Sequence, residues 1–140
     1  MLLFINFSET LLLTAQILTV LFIAILFLQS GFDKMVNKKE NLDWLTSHFS
    51  NSPFKNSVPF LFTIITVIEI LSGILSLIGI VFLILERSSI LAILGTLFAS
   101  LALIALFLGQ RIAKDYEGAQ SLVSYFILSI LTLLLLVYNM

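Results

Sequence analysis

The sequence contains no cysteine. That absence removes disulfides, thiol redox relays, CxxC centres and cysteine metal sites together. Charge is nearly as scarce: 11% of the 140 residues are Asp, Glu, Lys or Arg, where a soluble domain carries roughly 25%. With 60% hydrophobic residues and a mean hydropathy of +1.16, much of the surface must face something other than water. The one histidine, His48, has no HExxH or paired-carboxylate motif near it, so no metal site is expected. Net charge is −1, and no basic stripe interleaved with aromatics is present, which excludes nucleic acid as a partner. Residues 1–10 hold no Lys or Arg, so the basic start of a secretory leader is missing. The apolar run that follows is too long for a leader and is read as a retained span.

What the chain does have is long charge-free runs. Residues 10–32, 88–110 and 118–140 are each 23 residues without a charge. Residues 58–85 are 28 residues with a single charge, Glu69. At 1.5 Å per residue a helix of that length reaches roughly 35 Å, enough to cross a hydrocarbon core of about 30 Å. The runs do not alternate in polarity as barrel strands do. The fold class predicted is therefore an all-α integral membrane protein. A single domain forms a bundle of four transmembrane helices, with spans at about 10–34, 58–85, 88–110 and 118–138. Residues 1–8 are apolar and either lie at the interface or extend the first span. Glu9 and Thr10 fall where a first helical turn accepts an acid against the helix dipole.

The first loop is the longest polar stretch. Leu42, Leu45 and Phe49 share one helical face, and Trp44, the only tryptophan, suits the headgroup level. A short interfacial helix is predicted over residues 40–49, ended by Ser50-Asn51-Ser52-Pro53. His48 reads most simply as an exposed residue at its end. Pro59 suits the first turn of the second span. The second loop is so short that spans two and three must be antiparallel neighbours. Tyr125 and Tyr138 fit the two aromatic belts.

Glu69 is the residue around which a function can be sought. An ionisable group inside a span is costly and by default faces the protein interior. On a helical wheel Thr63, Thr66, Glu69, Ser72, Gly73, Ser76 and Gly79 fall within one arc of about 200°. Small and polar residues on one face let helices approach and hydrogen-bond. The opposite face of Ile, Leu, Val and Phe is expected to meet lipid. In span three Gly95, Ala99 and Ala102 form a small-residue seam, with Gly73 and Gly79 as counterparts. Glu69 lies ten residues past Pro59, roughly 15 Å into the membrane. Gln29, Ser30, Lys34 and Arg111 sit at the same end of their own spans and are its candidate neighbours. Asp33 and Lys34 can equally be read as boundary charges, with Lys34 snorkelling to the interface.

Counting Lys and Arg sets the expected orientation. Loops one and three hold six (Lys34, Lys38, Lys39, Lys55, Arg111, Lys114), and the other side holds only Arg87. The positive-inside rule then puts loops one and three in the cytoplasm and both termini outside.

Three segments together resemble the DoxX family. FLQSGFDKM (residues 27–35) resembles the end of that family's first helix. VIEILSGILSLIG (residues 67–79) resembles its second helix, with acid and glycines in order. GQRIAKDYEGA (residues 109–119) looks like a segment of DoxX-like proteins from Bacteroidetes-type bacteria. The resemblance covers nearly the whole chain and implies a small four-helix protein of the bacterial inner membrane. Some members are the membrane subunit of a thiosulfate:quinone oxidoreductase, and others belong to oxidative-stress complexes or act as membrane chaperones. Gly31, Lys34, Glu69, Gly73 and Gly79 match the family pattern, with Lys34 and Glu69 the chemical candidates.

Three functions follow as expectations. The first is an accessory or assembly subunit of a larger membrane complex, non-catalytic by itself, since no constellation of catalytic residues is evident. Glu69 would then be a polar node between helices, and partners would be other subunits or copies of the chain within the lipid bilayer. The second is a quinone-linked redox subunit, with Glu69 bonding a quinone oxygen, Lys34 or Arg111 stabilising its anion, and a partner supplying electrons. The third is a small solute or proton transporter using Glu69 as relay, for which four helices are few. No cofactor is evident in the residues; a quinone and a bound lipid are the candidates left open.

Overall fold

The computed structural model describes residues 2–140, with side chains from Asn6 onward. In chain order the elements are α1 (Leu2–Val36), α2 (Lys38–His48), α3 (Val58–Glu86), α4 (Ile90–Ile112), α5 (Tyr116–Ser121) and α6 (Val123–Leu136), closed by a 3-10 turn (Val137–Asn139). Four stretches are long and apolar enough to cross a membrane: Asn6–Val36, Val58–Glu86, Ile90–Ile112 and Tyr116–Asn139. The chain is thus a multi-pass helical membrane protein, an all-α bundle of four spans as predicted. Its outward faces are apolar, with Leu18, Ile25, Leu101 and Ile127 all more than half exposed. That pattern suits lipid, not water.

The element bounds differ from the expectations in instructive places. Helix α1 begins at Leu2, so the opening apolar residues extend the first span and Glu9 lies within the helix, away from its first turn. Helix α2 is present in loop one and runs from Lys38 to His48, shifted slightly toward the N-terminus. The fourth span is not one regular helix. It starts as the single turn of α5, capped where Asp115 accepts from the Gly118 amide at 2.9 Å, and breaks at Leu122 before α6. Ser121 donates its hydroxyl to the Gly118 carbonyl at 2.6 Å, competing with the regular ladder there.

Helix α3 is the centre of the bundle. It packs along α4 on one side and α1 on the other, and α6 closes the ring between α4 and α1. Each adjacent pair carries one polar clamp. Lys34 meets Glu69 between α1 and α3. Ser72 donates to the Gly95 carbonyl at 2.8 Å between α3 and α4. Ser100 lies 3.0 Å from Ser129 between α4 and α6. Gln16 donates to the Leu135 carbonyl at 2.9 Å and accepts from Asn139 at 2.8 Å between α6 and α1. Without a hydrophobic drive in lipid, such bonds and close packing are what hold the helices together.

Close packing is set by glycine where helices nearly touch. A side chain at Gly79 would put its Cβ 2.5 Å from the Ala92 amide nitrogen, and one at Gly95 would be 2.5 Å from Ser76 Oγ. Between α1 and α3, Gly31 and Gly73 receive Ile70 and Leu28 in the same way. Ala99 is fully buried in the cluster with Ile23, Phe27, Ala102 and Leu103. The buried residues of α3 are Val58, Phe62, Glu69, Ser72, Gly73, Ser76, Gly79 and Leu83, a narrow seam. Thr63, expected on the packed face, is exposed instead, because Phe62 takes the inward position at that level.

Candidate functional site

The one ion pair inside the spans, among the described residues, joins α1 to α3. Glu69 is fully buried, and the Lys34 side chain is 17% exposed. The ammonium donates to Glu69 Oε2 at 3.3 Å and to Ser30 Oγ at 2.8 Å. It also lies 3.1 Å from Glu69 Oε1, but off the hydrogen-bond angle, so that oxygen has no hydrogen-bond partner. The pair exists because Ser30 and Lys34 are one turn apart on α1 and stack on the same face, while Gly31 lets α3 come close enough for a lysine to reach. Coulomb attraction between the two groups is opposed by the cost of removing them from water, and breaking the pair by removing one partner is costlier than replacing both. The Glu69 carboxylate therefore spends its charge on Lys34, with one oxygen holding spare acceptor capacity.

The other candidates separate from this centre. Gln29 is exposed on the lipid face of α1 and makes no side-chain hydrogen bond among the described residues. The reason is helical phase. At 100° per residue Gln29 lies about 160° from Gly31, the residue that faces α3. Arg111 is also exposed and does not reach Glu69; its guanidinium sits over the Tyr116 ring, 4.5 Å from the centroid. Thr66 donates to the Phe62 carbonyl at 2.7 Å and is partly exposed beside Lys34. Ser72 faces α4, one turn away from the pair. Asp33 turns away from Lys34 toward Asn37 and Asn41, accepting from them at 2.7 and 3.3 Å.

Lys34 stands in the wall between two hollows. One is a cavity of about 400 Å³ under α2, bounded by Trp44, Leu45, Phe49 and Phe54 above, Phe62 and Ile65 of α3, and Leu106, Gly109 and Gln110 of α4. The other is a groove of about 430 Å³ open to the outer face of α1 and α3. Helix α2 closes the first through His48, which is not an exposed terminal residue. Its Nε2 is 2.8 Å from Gln110 Oε1 and 3.5 Å from Asp115 Oδ2. Its ring stacks on Trp44 at 4.5 Å and meets Phe49 edge-on at 5.1 Å. Lys114 adopts a left-handed φ of 62°, which lets the Asp115 amide bond back to the Gln110 carbonyl at 2.9 Å and brings Asp115 beside His48.

Sequence reasoning missed this His48 cluster and the buried Gln16. Nothing local marks His48 and Gln110 as partners 62 residues apart. Gln16 did carry a signal: it lies about 60° from Gly31 on the α1 wheel, on the packed side. Comparison with known proteins found no matching family model, no matching curated protein and no matching solved structure.

Proposed function

We propose that the protein is an accessory or assembly subunit of a bacterial inner-membrane complex, non-catalytic by itself, in the manner of the DoxX family. The observation that carries this reading is Gln29: a carboxamide without a hydrogen-bond partner among the described residues, about 10 Å inside the end of α1, on the face turned to lipid. An amide there is satisfied when another transmembrane helix supplies a polar group. The neutralised Glu69 agrees with a structural node. The test is a photocrosslinking side chain at position 29 in native membranes, with position 81 on the lipid face of α3 as control. Adducts to a protein from position 29 alone are expected, and their mass separates another subunit from a second copy. Lipid adducts only, at both positions, would sink the reading.

The six-to-one excess of Lys and Arg supports a cytoplasmic position for loops one and three. Because the chain has no cysteine, single cysteines at Asn51 and Ser88 report sidedness by membrane-impermeant labelling. Labelling of position 88 in intact spheroplasts, and of position 51 only after lysis, is expected.

A second reading, a quinone-binding subunit, is favoured by the cavity under α2. Its aromatic and aliphatic walls suit a prenylated ring, and Lys34 and Gln110 offer donors for carbonyl oxygens. A partner would supply the electrons. Titrating purified protein with a short-chain quinone should quench Trp44, which borders the cavity; unchanged fluorescence to saturation rejects it.

A further inference from the structure

Lys34 and Lys38 both border the outer groove between α1 and α3, and no acidic side chain lines it. Below the lysines the walls become apolar: Val67, Ile70, Leu71 and Ile74 follow one another down α3. From Thr63 to Ile74 the trough runs about 16 Å along the helix, half of a hydrocarbon core of about 30 Å. The groove therefore has cationic groups where span one ends, and a channel as long as one leaflet beneath them. Asp33, next to Lys34, accepts from Asn37 and Asn41, and neither it nor Glu40, two residues from Lys38, lines the groove. Lys34 is shared with Glu69, but Lys38, at the first position of α2, is exposed and makes no ion pair among the described residues.

We infer that this groove is a binding site for an anionic phospholipid of the loop-one leaflet. The phosphate sits against Lys38 and the outer side of Lys34, and one acyl chain lies along Val67, Leu71 and Ile74. A zwitterionic lipid has the same tail but carries its own ammonium to the lysines, so the charge selects the anionic headgroup. The inference does not depend on the assembly reading, because it uses a different face of α1 from Gln29.

The experiment is native mass spectrometry of the full chain released from mixed micelles of phosphatidylglycerol and phosphatidylcholine with matched acyl chains. Retention of one phosphatidylglycerol in preference to phosphatidylcholine is expected. Lys38→Ala should lower that preference about fivefold, the factor one lysine contributes near an anionic surface. Lys39→Ala, which removes a neighbouring charge outside the groove, should leave it unchanged. Equal retention of the two lipids, or equal losses in both variants, overturns the proposal. Displacement of the lipid by millimolar inorganic phosphate would overturn it too, since the site would then recognise the free anion and not the lipid.

Discussion

The two ends of the bundle are built differently. At the end holding loop two and the termini, the helices close against each other without a gap. Gly79 meets the Ala92 backbone, and Val20, Leu83, Ala92 and Leu136 form a fully buried cluster. Gln16 satisfies both its amide groups there. At the end holding loops one and three, the helices part. Three hollows open from that end, including a small apolar one of about 170 Å³ between α4 and the start of the fourth span. The buried ion pair, the histidine contact and most of the basic residues are at that end as well. One end is closed by backbone-to-backbone packing, and the other is held by polar contacts around hollows.

The comparison breaks first at the ion pair. Glu69→Ala leaves a mostly buried ammonium uncompensated, and the expected loss is about 3–5 kcal/mol. Thermal unfolding in a mild detergent measures it. The double variant Lys34→Met, Glu69→Leu should recover most of the loss, since removing both charges also removes their desolvation cost. Next comes packing. Gly79→Leu drives a side chain into the Ala92 backbone, at an expected cost of about 3 kcal/mol. Gly109→Leu, where a Cβ would stand 3.5 Å from the Phe49 ring at the open end, should cost under about 1 kcal/mol by the same measurement. Equal losses at the two glycines would remove the distinction between the ends.

Polar contacts give smaller effects. Gln16→Leu gives up two hydrogen bonds and should cost about 1–2 kcal/mol, whereas Gln29→Leu on the same helix should leave the isolated protein's unfolding temperature unchanged. His48→Ala should shift bundle stability only slightly, by about 0.5 kcal/mol or less. Its readout is local: faster amide exchange in α2 and a shifted Trp44 emission, with α3 and α4 exchange unaltered.

Helix number, span positions and the dominance of Glu69 were legible because they depend on runs of residues and on hydropathy. The Lys34–Glu69 contact was half legible. Both residues could be placed at similar depth by counting from the ends of their spans, but depth alone admits any lysine, arginine or glutamine at that level. Azimuth decides among them, and α1 carried that information in the position of Gly31. Arg111 escaped for another reason. Its partner Tyr116 is delivered by the turn at Lys114, and a left-handed lysine has no composition signal of the kind glycine provides. The same turn brings Asp115 to His48, so the contact between loops one and three depends on a backbone conformation that residue types do not announce.

The link between α3 and α4 has a consequence for how the protein is made. Only Arg87, Ser88 and Ser89 separate the two helices, and Arg87 caps α3 in the left-handed conformation with φ 56°. The most extensive interface of the bundle is therefore also the one with the shortest connection. Contacts that are local in sequence form with the least search, so this hairpin is expected to form before the helices that pack on it, an order that pulsed amide exchange during refolding checks. Helix α1 packs on the face of that hairpin that carries Glu69 and Gly73. The last span has the lightest hold on its neighbours, and Asn139 ties its end to Gln16 at 2.8 Å.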